Sequence, residues 1–350
     1  MEYTIFGESH GPAIGVTLSG VPAGLPLNME ALEFDMARRA TGKNRLSTPR
    51  KEADQVEILS GVFEGLTTGT PLTMIIRNTD QHSKDYSQLR LTPRPSHGDY
   101  AGSVRYSGCN DYRGGGHFSG RLTAPLVAAG AIAKQLLARE GIFVGAHIAS
   151  IAGIQDGVLD PVHDPREVLT QVAHKDFPVL DDTAGEQMQQ AILAAREAGD
   201  SVGGVIRCVV SGLRPGLGAP DLDENVEGIF ARHLFAVPAV KGLEFGAGFA
   251  LANMYGSLAN DPFCMDGDTI RTRTNHAGGI NGGITNGMPV VFTVAIRPTP
   301  SISMEQDTVN LTTRQNAKLS IHGRHDPCIV HRAVPVIEAA AALATCQLLF

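Results

Sequence analysis

The chain contains no tryptophan, and only 5% of its 350 residues are aromatic. Few platforms exist for stacking unpaired bases, which argues against a single-strand nucleic-acid binder. Basic charge is not in excess either. The formal net charge is -7, the wrong sign for a nucleic-acid footprint, so an anionic ligand must be held by local arginines and not by a global field. Cysteine is sparse and scattered: Cys109, Cys208, Cys264, Cys328 and Cys346. No two are close enough for a CxxC pair or a zinc-ligand spacing, HExxH is absent, and no metal site is expected. An odd, dispersed set reads as reduced thiols. Long apolar runs are also missing. The longest, 122–133 and 339–350, are too short to span a bilayer and read as core helices. Met1-Glu2-Tyr3-Thr4 shows neither the basic nor the apolar region of a signal peptide. The expectation is a cytoplasmic protein with no nucleic-acid and no membrane partner.

What is present is a core and many turns. The composition is 43% hydrophobic and 19% charged, ordinary for a folded domain. Glycine supplies 40 of 350 residues, roughly 11% against an average of about 7%. These glycines interleave with short β-type runs, so they mark tight turns and close backbone approaches. Strands are predicted at 14–18, 56–59, 72–76, 205–210 and 290–296. Helices are predicted at 29–39, with Asn28 as N-cap, and at 122–139, 184–198, 225–235 and 333–349. Strands and helices mix without strict βαβ alternation, which favours an α+β layered fold.

The two halves resemble each other. Ser19-Gly20-x3-Gly24-Leu25 recurs as Ser211-Gly212-x3-Gly216-Leu217. Gly61-x3-Gly65-Leu66-Thr67-x-Gly69-x-Pro71-Leu72 recurs as Gly279-x3-Gly283-Ile284-Thr285-x-Gly287-x-Pro289-Val290. A single domain over 1–350 is expected, with halves of roughly 1–140 and 200–350 related by a pseudo-two-fold.

Three polar motifs each set a histidine among glycines and hydroxyls: Gly7-Glu8-Ser9-His10-Gly11, Arg94-Pro95-Ser96-His97-Gly98-Asp99-Tyr100 and Gly323-Arg324-His325-Asp326-Pro327-Cys328. Such loops are poor core material and suit a site that needs proton donors and anion-binding arginines. Taken singly, each is weak. A lone histidine after a strand is more often structural, and a carboxylate beside an arginine can be a surface pair. Arg38, Arg39, Lys43 and Arg45 read either as a complement to a helix C-terminus or as an anion clamp. The run Arg113-Gly114-Gly115-Gly116-His117-Phe118-Ser119-Gly120-Arg121 opens a helix, where backbone N–H groups bind anions, but its spacing is neither a Rossmann nor a P-loop fingerprint. Arg297-Pro298-Thr299-Pro300-Ser301 leaves a strand with hydroxyls suited to phosphate oxygens.

Together these motifs resemble the chorismate synthase family. Gly7-Glu8-Ser9-His10-Gly11, the stretch from Asp54 to Gly65 with Thr67-Thr68-Gly69-Thr70, Asn78-Thr79-Asp80-Gln81, Arg113-Gly114-Gly115-Gly116, Asn275-His276-Ala277-Gly278-Gly279-Ile280 and the Gly323–Cys328 motif occur in the family order, over essentially the whole chain. The resemblance implies a β-α-β sandwich with internal pseudo-symmetry, assembled as a homotetramer. It implies a carbon–oxygen lyase of the shikimate pathway: 1,4-anti elimination of phosphate from 5-enolpyruvylshikimate 3-phosphate, giving chorismate for aromatic amino acid biosynthesis. It implies reduced FMN without net redox change, the flavin lending electron density and its N5 taking the C6 proton. It also associates NADP with the activity, and an external flavin reductant is expected. Carried over by motif, His10 protonates the leaving phosphate, His97 lies near flavin N1, and Asp326 helps deprotonate N5. Ser9, Arg39 and Arg45 bind the substrate. His117, Phe118, Ser119, Ala239, Gly282, Arg297, Pro298, Thr299, Pro300, Ser301 and Arg324 form the flavin site. The glycine loop departs from the family's common Arg-Ser-Ser-Ala-Arg-Glu at His117 and Phe118, Pro238 replaces a usual Asn, and Arg297 replaces a usual Lys. Two alternatives remain at this point: an enzyme for another phosphorylated, carboxylated ring, and a non-catalytic anion binder, against which the retention of His10, His97 and Asp326 weighs.

Overall fold

The computed structural model describes residues 1–42, 46, 54–79, 89–321 and 326–350. In the first half, β1 (Glu2–Gly7), β2 (Ala13–Ser19), α1 (Met29–Arg39), β3 (Val56–Ser60), β4 (Val62–Phe63), β5 (Leu66–Thr67) and β6 (Leu72–Arg77) lead through α2 (Asp99–Arg105) and the glycine run to α3 (Thr123–Arg139). The second half holds β7 (Phe143–Ile151), β8 (Ile154–Gln155), α4 (Arg166–Ala173), α5 (Asp182–Glu197), β9 (Gly204–Ser211), α6 (Val226–Phe235), β10 (Val240–Phe245), α7 (Gly256–Ala259), β11 (Phe263–Asp266), β12 (Thr269–Thr272), β13 (Ile280–Asn281), β14 (Ile284–Thr285), β15 (Val290–Ile296), β16 (Gln306–Asn310), β17 (Gln315–Leu319) and α8 (Val330–Leu349).

The sequence repeat is a structural repeat. One antiparallel sheet runs β1-β2-β6-β3, and the other runs β7-β9-β15-β10 with β8 added at the β7 edge. The fourth strand of each carries a register shift, between Ile58 and Ser60 and between Val240 and Gly242. The glycine motifs recur because the backbone demands them: Gly61 and Gly279 take φ of +84° and +83°, and a Cβ would stand 2.4 Å from Leu72 Cα or 2.5 Å from the Pro289 carbonyl. Each motif's threonine also does the same work. Thr67 Oγ1 accepts from Leu25 N at 2.9 Å and donates to Pro22 O, and Thr285 Oγ1 accepts from Leu217 N at 3.0 Å and donates to Arg214 O. β7 pairs with β9, so the second repeat reaches back to Phe143, upstream of the boundary drawn from sequence.

Helices α3 and α8 fill the layer between the sheets, α3 against β2 and β6, α8 against β7 and β9, and both against each other. They meet at small residues: a Cβ on Gly130 would lie 2.2 Å from that of Ala339. One continuous core runs from Ile14, Val16 and Met74 through Ala128, Ile132 and Ala340 to Ile206, Phe230 and Phe292. This is the α+β, β-α-β sandwich with an internal two-fold. α8 has 20 residues and is long and apolar enough to cross a membrane, more than the sequence reading allowed, but 78% of its apolar window is buried in this core.

A buried charge cluster ties the layer together. Arg38 of α1 donates to both oxygens of Glu338 on α8 at 2.6 and 2.8 Å, and Lys134 of α3 reaches Glu338 at 2.5 Å and Asp35 at 3.0 Å. Ala146 N of β7 donates to Glu338 at 3.1 Å. The two cations hold the Glu338 carboxyl well below the usual carboxylate range. The basic cluster read from sequence is therefore divided. Arg38 faces the core, Arg39 turns to the opposite side, and Lys43 and Arg45 lie outside the described residues.

Candidate active site

A cavity of about 270 Å³ opens where the two halves meet. Its walls come from the end of α1 (Arg39, Thr41), the Arg94–His97 loop, the glycine run with Gly114 and Phe118 to Arg121, the Val237–Ala239 entry to β10, the Arg297–Ser301 exit from β15, and Asp326 with the start of α8. Distant loops converge because each half's strand ends and helix ends face this seam.

His97 is the best-defined acid–base candidate. Ser96, at φ +59°, turns the chain so that the next side chain enters the cavity. His97 Nδ1 lies 2.6 Å from Asp99 Oδ1 and 3.0 Å from Arg94 Nη2. The Asp99 carboxylate can only accept, so its closer contact puts a proton on Nδ1 against the competing donor Arg94, and Nε2 is left as the acceptor. Asp99 is gripped in turn by Arg94 through Nε at 2.7 Å and Nη2 at 2.8 Å, and its carboxyl is held far below the usual range. Burial, aided by Arg94 and Arg297, lowers the His97 pKa against the pull of Asp99. At neutral pH His97 is therefore neutral, with a defined tautomer.

His10 sits one layer deeper, only 3% exposed. Ser9 Oγ donates to Arg113 O at 3.2 Å, which leaves it to accept from His10 Nδ1 at 3.2 Å. The His10 ring lies against Gly114, where a Cβ would come within 2.0 Å of Cε1, and His97 lies against Gly115, where the gap would be 3.2 Å. Gly114, Gly115 and Gly116 all have positive φ, so the run is the thin partition that lets both imidazoles approach. The spelling Gly-x-Ser-x-Gly at Gly7–Gly11 is not a nucleophile elbow, because it joins β1 to the antiparallel β2 and not a strand to a helix.

Arginines dominate the walls: Arg39, Arg94, Arg121, Arg297 and Arg332. Asp54, 4% exposed, takes Arg39 at 2.5 Å and also Arg121, and the pair holds its carboxyl below the usual range. Arg332 Nη1 donates to Asp326 Oδ2 at 2.7 Å and its Nε to Arg39 O at 3.0 Å. Arg297 has no carboxylate partner among the described residues, and burial lowers its pKa. Five arginines thus face three carboxylates, Asp54, Asp99 and Asp326, leaving an anion-receptive surplus. The lining also has apolar members: Val237, Pro238, Ala239, Ile329, Ala333 and Val336.

Of the residues singled out from sequence, Arg39, His97, Phe118, Ser119, Ala239, Arg297, Thr299, Pro300, Ser301 and Asp326 line this cavity. Ser9 and His10 back its glycine partition. Pro298 is not among the lining residues, and the His117 ring turns outward, Nδ1 3.0 Å from Gly7 O. Gly282 lies in the exposed β13–β14 turn, with open space around its α-carbon. Arg45 and Arg324 lie outside the described residues. Phe118, a departure from the common family pattern, packs on Gly98 and Gly102, where a Cβ would come within 3.0 and 2.4 Å of its ring. Sequence reasoning missed Arg121, Asp54, Asn78 and Arg332 as site residues. Asp54 and Asn78 lie inside motifs read only as family signatures, Arg121 closes the glycine run that was read for its backbone N–H groups, and Arg332 carries no local signal.

A family model described as chorismate synthase matches residues 1–350. A chorismate synthase of Dehalococcoides mccartyi is 46% identical over 347 residues, 99% of this chain and 94% of that protein. One from Thermococcus kodakarensis is 47% identical over 343 residues, covering 98% and 94%. A crystal structure of a chorismate synthase superposes with a TM-score of 0.78 at 28% identity, covering 99% of this chain and 91% of that one. With the matching sheets and the arginine-lined seam, these similarities show that the chain belongs to the chorismate synthase family.

Proposed function

We propose that the seam cavity binds 5-enolpyruvylshikimate 3-phosphate beside reduced FMN and carries out the family's elimination there. The chain is a carbon–oxygen lyase: the bond from carbon to the phosphate oxygen breaks, a C6–H bond breaks, a double bond forms, and phosphate leaves with no net oxidation. The observation that carries the reading is the arginine surplus, with Arg297 lacking any carboxylate partner among the described residues. A substrate with two carboxylates and a phosphate matches it.

The residues present fit a flavin. The apolar lining from Val237 to Ala239 and along α8 suits a flat ring, while Arg94, Arg297 and Ser301 suit its anionic end. When bound, the reduced flavin would supply transient electron density and a nitrogen to receive the C6 proton. The chain's own residues do the rest. Arg39 and Arg121, fixed by Asp54, orient the substrate's anionic groups; by motif, Arg45 joins them and Arg324 joins the flavin site. His10, its Nδ1–H held by Ser9, turns Nε2 to the leaving group, and donates to the phosphate from there when the ring is doubly protonated. His97 keeps Nε2 free of a proton to accept a hydrogen bond within the cavity. Asp326, tethered by Arg332, is placed to move a proton on the cavity side.

The same reading includes a cytoplasmic homotetramer served by an external reductant. Assembly is supported by exposed apolar side chains on the segment before α7 and on the β11–β12 hairpin: Phe249, Tyr255, Phe263, Met265 and Ile270 are 81, 81, 69, 65 and 62% exposed.

The anion-receptor claim is tested at Arg297. Arg297→Ala is expected to weaken flavin or substrate binding about 10–100-fold, the loss of a charged hydrogen-bonding partner, whereas Arg297→Lys stays within a few-fold because the charge remains. Calorimetric titration of FMN and of substrate measures both. Unchanged affinities in Arg297→Ala would remove the residue from the site.

A further inference from the structure

Asn78 stands just beyond β6, between two parts of the site that lie far apart in sequence. Its Nδ2 donates to the carbonyls of Glu8 and Gly11 at 3.0 and 2.9 Å, and its Oδ1 accepts from Arg121 Nε at 3.2 Å. Its backbone N–H donates to Pro12 O at 3.2 Å. Two carbonyls on one side and a guanidinium on the other admit one orientation of the amide. The Glu8–Gly11 turn, closed by Gly11 N to Glu8 O at 2.9 Å, carries Ser9 and His10. Arg121 shares the Asp54 carboxylate with Arg39. One neutral side chain thus spans the turn that presents His10 and the arginine pair that faces the ligand.

We propose that Asn78 is a positioning residue: it holds the His10 turn in register with the Arg39–Arg121 pair, so that the proton donor and the anchored leaving group meet. The inference rests on the reading of His10 as the proton donor. Only a short amide gives two donors and one acceptor at this reach. Aspartate has the same shape and keeps the contact to Arg121, but sets an oxygen against two carbonyls. Glutamine is one methylene too long. Misplacement of a proton donor by about 1 Å costs on the order of 10²-fold in rate.

The test is a double-mutant cycle on the flavin-loaded enzyme, with a second readout on flavin-free protein. Asn78→Asp and Asn78→Ala are expected to lower kcat on the order of 10²-fold while substrate KM stays within about threefold, since binding contacts remain. His10→Ala combined with Asn78→Ala is expected to be no slower than His10→Ala alone. In flavin-free Asn78→Asp, which preserves shape and keeps the variant folded, the His10 imidazole NMR signal is expected to shift from its wild-type position. Additive losses in the cycle, wild-type turnover of Asn78→Asp, or an unmoved His10 signal would overturn the proposal. Wild-type turnover of His10→Ala would instead overturn the reading of His10 on which it rests.

Discussion

Asp99 decides which nitrogen of His97 faces the ligand. Without its carboxylate at 2.6 Å, the donor Arg94 takes the Nδ1 lone pair and the proton moves to Nε2, and Arg94, now lacking an anion, lowers the proton affinity of the ring further. Asp99→Asn is therefore expected to slow turnover by about tenfold or more, within the range of acid–base contributions. The acid limb of its pH–rate profile should move to lower pH, because a less basic His97 stays neutral further down. A profile that matches wild type in height and position would show that the pair has no part in the reaction. The polar loop that carries both was legible in sequence, read there for its histidine and not for Asp99. Asp54, Asn78 and Arg121 were not, since their partnership depends on long-range contacts that no local pattern encodes. The outward turn of His117 was equally hidden, because it follows from positive φ at three successive glycines.

At the scale of elements, α8 shows what buried polarity does to stability. Its His331 is 6% exposed, stacks on Phe177 at 6.0 Å and has no hydrogen-bond partner for either ring nitrogen among the described residues. Pro335, one turn on, has no N–H to give to the His331 carbonyl. Burial pulls the His331 pKa down to about 4 from an ordinary 6.5. Above pH 6.5 both folded and unfolded chains hold it neutral. As pH falls toward 4 the unfolded chain takes up a proton that the folded one refuses, so stability declines by about 3 kcal/mol over that window. His331→Phe keeps the ring and removes the titration. Its melting temperature should be equal or higher at pH 7 and should fall less than wild type between pH 6.5 and 4. Parallel curves would show that His331 is not held neutral. The helices and central strands were legible because apolar periodicity marks them: α1 spans the residues expected, and β15 likewise. β7 was missed because Gly145, Ala146 and Ala149 dilute its apolar signal, and β10 because Lys241, Gly242 and Glu244 interrupt it. Both lie in the sheet through pairing to strands that were recognised.

For the whole molecule, the repeat explains the position of the site. Two copies of one sheet, back to back across α3 and α8, bring different loops to a shared seam, and arginines from both copies line it. The unbroken core through both sheets supports our reading of 1–350 as one domain, with the second repeat beginning at β7. The repeat itself was legible because glycines at positive φ leave a spaced signature, whereas the seam emerges only when the halves are docked. The most direct measurement is anaerobic turnover of 5-enolpyruvylshikimate 3-phosphate with dithionite-reduced FMN, following chorismate and phosphate together. The account predicts equimolar release of both, absent with oxidised FMN and slowed about 10²–10⁴-fold in His10→Ala and His97→Ala. Folded, flavin-saturated protein that releases neither product, or releases both equally well with oxidised flavin, would contradict it.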